Sequence, residues 1–191
     1  AIQICAAAKQ RNIATYLDGA RLWNAAVGSS RTVAELAAPF DLVSVAMSKG
    51  LGAPGGSLLA GTKDIISRAV RYRRMFGGAM RQVGFFAEAG WYALSHHFNR
   101  LADDHANVRM IAERLVSNSK VQLDINSVQT NILVFDLTEK APDANTVVTR
   151  ARERGLLIFA FGPRTIRAVT HLDVSAEQCR RAAEILLEII N

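Results

Sequence analysis

The chain has 191 residues, of which 23 are Lys or Arg and 17 Asp or Glu, giving a formal net charge of +6. Half the residues are hydrophobic, which excludes intrinsic disorder, and 13 glycines with 4 prolines exclude a collagen-like or linker-like chain. No run of about eighteen apolar residues occurs, so neither a membrane-spanning helix nor a membrane partner is expected.

Residues 2–9 are amphipathic and read as the end of a helix, and 13–17 as a short buried strand that stops at Asp18-Gly19. Residues 32–38 are expected to be helical, ending before Pro39, which cannot continue a helix. The run DLVSVAM, 41–47, predicts a second buried strand. A third strand follows at 57–60, then a helix from Thr62, its natural N-cap, to Arg74. Strands and helices alternating in units this short predict βαβ architecture around a largely parallel sheet. From 83 to 118 the pattern becomes an extended helical run. Leu94, Phe98, Leu101, Val108, Ile111 and Leu115 recur at helical spacing, as one long helix or a kinked pair of the kind that links domains. Strands are then expected at 121–123 and 131–137, a helix at 145–153, and strands at 156–160 and 165–170. Ser175 caps a final helix through Ile190. The fold class expected is therefore α/β, with a front unit over 1–84, a linking helical region over 85–119 and a small α+β domain over 120–191.

Cys5 and Cys179 lie far apart and share no metal-ligand spacing, so no metal is expected. Both read as buried thiols of a reducing compartment, the cytoplasm. The first twenty residues lack the basic-then-apolar order of a signal peptide. Arg68, Arg71, Arg73, Arg74 and Arg81 cluster in one segment. No RNA-recognition strand signature and no basic helix with heptads accompanies them, so nucleic acid is not an expected partner.

Lys49 stands apart. It lies in SKGLGAP, directly after the strand DLVSVAM. Small residues around a strand-end lysine let it swing into a cleft that other backbone approaches closely. A solvated loop lysine is the alternative. The glycines and the apolar strand beside it favour burial of the amine, which would lower its pKa and make it nucleophilic. Asp18 follows an apolar strand about thirty residues earlier. By itself it reads as a turn-former whose side chain bonds nearby backbone. Two strand-end residues of one parallel sheet, however, both face the crevice where such folds bind ligands. An amine and a carboxylate there match the needs of pyridoxal 5'-phosphate, which takes a lysine on its aldehyde and a carboxylate on its pyridine nitrogen.

Four stretches, YLDGARLWNAA from Tyr16, SKGLGAP from Ser48, GGAMRQVG from Gly77 and IRAVTHLDV from Ile166, together resemble the low-specificity L-threonine aldolases. These belong to the aspartate-aminotransferase-like, fold-type-I enzymes that use pyridoxal phosphate. Two positions depart from the pattern: Gly55, where many members carry Val, and Arg74, where some carry Lys. The resemblance implies that Lys49 is the lysine bound to the cofactor and Asp18 the partner of its ring nitrogen, with Ser48 beside them. It further implies that Arg21 and Arg167 hold the substrate carboxylate, a task suited to a planar bidentate donor. Arg74 and Arg81 resemble basic residues at the active site and dimer interface that serve the cofactor phosphate. Their alternative is a solvated basic helix face. His96, His97 and His105 are expected to pack or lie at the surface. His171 shares the strand face of Arg167 at period two and is not taken as the general base.

The activity implied is cleavage of L-threonine or L-allo-threonine to glycine and an aldehyde by a homo-oligomer, dimer or tetramer. Family members carry a segment before the point where this chain starts, including a glycine-rich phosphate loop and a ring-stacking histidine. The chain is accordingly expected to be the C-terminal part of a mostly parallel large domain, followed by the small domain. By itself it is expected to be inactive and to be poorly stable, to fold with a changed sheet edge, or to sit beside the missing piece, because missing strands leave a sheet edge or face uncovered. Two alternatives stay open: another fold-type-I lyase, β-eliminating or serine-hydroxymethylating, and a non-catalytic fragment.

Overall fold

The computed structural model describes all residues, Ala1–Asn191, as two compact units, Ala1–Leu101 and Ala102–Asn191. The first holds α1 (Ile2–Gln10), β1 (Tyr16–Gly19), α2 (Leu22–Ser29), α3 (Val33–Ala37), β2 (Leu42–Ala46), β3 (Ser57–Gly61), α4 (Lys63–Met75) and α5 (Gly84–His97). Helix α6 (Leu101–Leu115) starts at the boundary. The second unit continues with β4 (Val121–Gln122), a 3-10 turn at Ile125–Ser127, β5 (Ile132–Leu137), α7 (Ala144–Glu153), β6 (Phe159–Ala160), β7 (Thr165–Val169) and α8 (Ala176–Ile190).

Sheet order in the first unit is β1-β2-β3. β1 and β2 are parallel, with Asp18 opposite Ser44 and Gly19 opposite Val45, while β3 runs antiparallel to β2. The sheet is thus mixed where a largely parallel one was expected. The short 47–56 loop returns the chain alongside β2 with no room for a helical crossover, which a parallel neighbour would need. Alternation splits the strands into two faces. Val43 and Val45 are buried with Leu22 against Leu17, Trp23, Val33, Leu36, Ala37 and Phe40. The opposite face, bearing Tyr16, Asp18 and Ser44, stays accessible, and every residue of β3 is exposed.

Several boundaries moved for local reasons. The strand expected at 13–17 forms at Tyr16–Gly19, because Asp41 ties the approach to it. Its Oδ2 accepts from Thr15 N at 2.7 Å and from Thr15 Oγ1 at 2.9 Å. α2 was not anticipated. Its N-cap is Arg21, which makes no side-chain cap, so the usual Ser/Thr/Asp/Asn start signal is missing. α3 and α4 begin after Thr32 and Thr62, whose hydroxyls cap them. The helical run from 83 to 118 is a pair, α5 and α6, interrupted at 98–100. The strand expected at 156–160 shrinks to Phe159–Ala160. Gly155, at φ +78, closes α7 in a Schellman arrangement: Leu156 N bonds Ala151 O at 2.9 Å and Gly155 N bonds Arg152 O at 3.0 Å.

In the second unit the order is β4-β5-β7-β6, antiparallel throughout. Leu133, Phe135, Leu137 and Ile166 point to one face and are buried with Val108, Ile111 and Leu115 of α6, Val147 and Ala151 of α7, and Ala183, Leu186 and Ile190 of α8. Burying one side chain of the size of Phe135 or Leu133 stabilises by about 1.5–3 kcal/mol.

Candidate active site

Parallel pairing of β1 and β2 brings their C-terminal ends to the same end of one sheet. Asp18 is the third residue of β1, and Lys49 lies three residues beyond the last residue of β2. Both residues therefore lie at the same end of the sheet, the end at which open α/β sheets bind ligands. The Asp18 carboxylate is exposed, and its Oδ1 accepts from Ala20 N at 3.1 Å, the turn-forming bond expected of it. Gly19 is needed next: a Cβ there would overlap the Ser44 carbonyl oxygen and crowd Leu22 and Val45. Arg21, half-buried, occupies the N-cap position of α2 three residues after Asp18 without capping it through its side chain.

The 48–54 loop starts from a buried Met47 and returns to it, since Ala53 N bonds Met47 O at 3.0 Å. Within it, Gly52 N bonds Lys49 O at 2.8 Å and closes a turn over Gly50 and Leu51. Gly50 is buried, and a Cβ on it would lie 2.8 Å from both Asn24 Oδ1 and Leu101 Cδ2. Both neighbours are fully packed, so the space is closed. Leu51 and Ala53 are buried as well, whereas Ser48 and Lys49 point outward and are exposed. Burial of the amine, expected from the glycines and the apolar strand, is not found: the loop buries its apolar residues and presents the lysine. Trp23 Nε1 donates to Ala46 O at 2.9 Å and fastens α2 to the end of β2.

α5 forms the back of this loop. The ring of Phe86 fills the space where position 55 lacks a side chain, at 2.8 Å from a Cβ built there, which accounts for Gly55 in this chain. His97, expected from the sequence to pack or lie at the surface, places Nδ1 2.7 Å from Leu51 O. Its 46-residue separation from Leu51 leaves no pattern by which the contact could have been foreseen.

Arg74 lies in the last turn of α4 and Arg81 between α4 and α5; both are exposed. Their surroundings are exposed too, with Phe76 at 82% and Phe85 at 80%. In the second unit, Arg167 lies on β7 on the face away from the core, opposite Val134 of β5 and Phe159 of β6. His171 lies past the end of β7, its Nδ1 3.3 Å from Asp173 Oδ2. Cys5 and Cys179 are buried and free, and desolvation together with Asp104 pushes the Cys179 thiol above its ordinary value. No helix is long and apolar enough to cross a membrane.

The profile of the beta-eliminating lyases matches residues 2–138. The chain is 41% identical over 175 residues to the low specificity L-threonine aldolase of Escherichia coli K12, covering 92% of this chain and 50% of that protein. It is 32% identical over 169 residues to low-specificity L-threonine aldolase 1 of Arabidopsis thaliana, covering 88% of this chain and 47% of that one. The solved threonine aldolase of Leishmania major superposes with a TM-score of 0.75 at 21% identity, over 98% of this chain and 55% of that chain, and so shares the fold. The chain spans about half the length of the relatives it matches. A fold common to these chains, and a family profile that runs from α1 to the end of β5, lead to one assignment: the chain belongs to the beta-eliminating lyase family.

Proposed function

We propose that the intact protein cleaves β-hydroxy-α-amino acids, L-threonine and L-allo-threonine among them, to glycine and an aldehyde with pyridoxal 5'-phosphate as cofactor. The observation that carries this reading is the pair Asp18 and Lys49 at the ends of adjacent parallel strands. The donor set fits the cofactor. An exposed primary amine suits its aldehyde, and a carboxylate at the same sheet edge suits a ring nitrogen that must stay protonated. Lys49 would hold the group through Nζ, Asp18 would keep the proton on the ring nitrogen, and the Ser48 hydroxyl stands beside the lysine as a further donor. Bound there, the ring supplies a sink for the electron pair released when the Cα–Cβ bond of the amino acid breaks.

Two arginines of the chain are proposed to bind the substrate. Arg21 and Arg167 are the guanidiniums assigned to the substrate carboxylate, each offering two parallel N–H donors. Fixing the carboxylate would orient the amino acid and so select which bond to Cα is broken. The names of the relatives at 41% and 32% identity support a threonine-type substrate. An oligomer, dimer or tetramer, is proposed, with Arg74 and Arg81 at the contact and beside the cofactor phosphate. The exposed Phe76 and Phe85 support a covered surface there. The cytoplasm is the proposed compartment, consistent with two free buried thiols.

The family description supports a second reading, β-elimination, which expels the β-substituent of a serine- or cysteine-like substrate, as water or sulfide, and leaves ammonia and a keto acid after hydrolysis. The test is a Lys49→Ala comparison in the intact protein. Borohydride reduction in the presence of pyridoxal phosphate should give wild type a stable mass adduct on the Lys49 peptide, and threonine should yield glycine and acetaldehyde. Both signals should vanish in the variant. Ammonia and pyruvate from serine, without acetaldehyde from threonine, would favour elimination. An adduct that survives removal of Lys49 would end the assignment.

A further inference from the structure

We propose that His97, in the last turn of α5, is a positioning residue for Lys49: it holds the Leu51 carbonyl and thereby fixes the turn that presents the amine. The inference rests on the proposed role of Lys49. His97 Nδ1 lies 2.7 Å from Leu51 O in a half-buried setting. A carbonyl oxygen only accepts, so Nδ1 carries the proton and donates. Leu51 is the third residue of the turn closed by Gly52 N on Lys49 O. The carbonyls of Met47 and Lys49 are already used inside the loop, by Ala53 N and Gly52 N. That of Leu51 is met by the imidazole.

The rest of the grip on this loop is apolar. Along one stripe of α5, Phe86 lies against Gly55, Gly90 against the Met47 side chain at 3.1 Å from a built Cβ, and Ala93 is buried with Met47, Leu51, Ala53 and Leu101. His97 completes the stripe at spacings of four, three and four. Apolar contacts are non-directional and tolerate rotation of a turn beneath them. A short N–H···O bond does not, because it weakens steeply away from linearity. The imidazole is itself held: the Tyr92 ring meets it edge-on at 5.6 Å, and Tyr92 is stacked on His96 at 4.1 Å. A directional bond from a braced ring onto the turn that carries the nucleophile is what aims a flexible side chain. Misplacement by about 1 Å costs on the order of a hundredfold in a positioned reaction.

The experiment compares wild type with His97→Phe, which keeps a flat ring but loses the donor, and His97→Asn, whose side-chain amide donates from nearly the same position. Hydrogen exchange at the Gly52 and Ala53 amides should accelerate about tenfold in His97→Phe, while exchange in β2 stays unchanged. The rate at which borohydride traps pyridoxal phosphate on Lys49 should fall roughly tenfold to a hundredfold. Asn should restore both. Unchanged exchange and trapping in His97→Phe, or an Asn variant as impaired as the Phe variant, would overturn the proposal. Wild-type protein that gives no Lys49 adduct refutes the functional reading instead, and the exchange data then decide separately whether His97 holds the turn.

Discussion

Gly19, Gly50 and His97 each act through the backbone they approach. Gly19 ends β1 because the Ser44 carbonyl leaves no volume for a side chain, and Gly50 is closed in by Asn24 and Leu101. Glycines beside Asp18 and Lys49 therefore serve close packing of two strand ends, with the charged side chains turned outward. His105, on α6, behaves differently. It is half-buried, and desolvation holds its imidazole below the ordinary 6.5 while Asp104 pulls the other way. The unfolded chain therefore takes up this proton first. Stability is full above the unfolded value and declines as pH falls below it, until the folded-state value is also passed. Urea unfolding followed from about pH 8 to about pH 5 should show this decline in wild type and a flatter profile in His105→Gln. A wild-type profile no steeper than the variant's would mean that the ring is not shielded.

Helix starts were legible at Thr62 and Ser175, whose side chains announce them. Thr32, Thr62, Asp143 and Ser175 each accept from a backbone N–H in the first turn. Thr32 and Ser175 form full capping boxes with Glu35 and Gln178. α2 escaped notice because Arg21 supplies no such bond, and its place is set by Trp23 on Ala46 O and by Leu22 under the sheet. The α5–α6 interruption was open in the sequence, since the apolar spacing runs on through Phe98 and Leu101. Both residues join the cluster around Met47 and Leu51, and tertiary packing turns the chain there. At this scale the Ser175 box gives a direct measurement. Ser175→Ala should cost about 1 kcal/mol in thermal or urea unfolding without altering Lys49 adduct formation. A loss too small to resolve would mean that α8 is held by its buried face alone.

Across the molecule the two units are built to different standards of burial. The second gathers 21 buried residues in one cluster, from Val108 to Ile190. The first divides its core into a group of five around Met47 and a group of three around Val43. Its sheet leaves one face accessible, Tyr16 is 56% exposed, and Leu58 and Leu59 on β3 are 52% and 42% exposed. Local opening free energy follows buried apolar contact. Native-state hydrogen exchange should therefore find the strongest protection on β5, β7 and α8, with β3 and α4 exchanging fastest. Equal protection in β3 and β5 would contradict the ledger of burial.

Composition, spacing and short motifs determined a good part of this in advance: the alternating α/β order, most strand centres, two capped helices, and a lysine and an aspartate each set just where a strand gives out. These are local properties, carried by side-chain period and by residues that bond their own neighbours. Only the tertiary structure decided that β3 returns antiparallel, that Lys49 is presented to solvent while Leu51 is buried, and that a histidine 46 residues away takes hold of the turn between them. Contacts of that kind depend on where a loop comes to rest against a helix. No periodicity encodes that, because it emerges from closing the whole core at once.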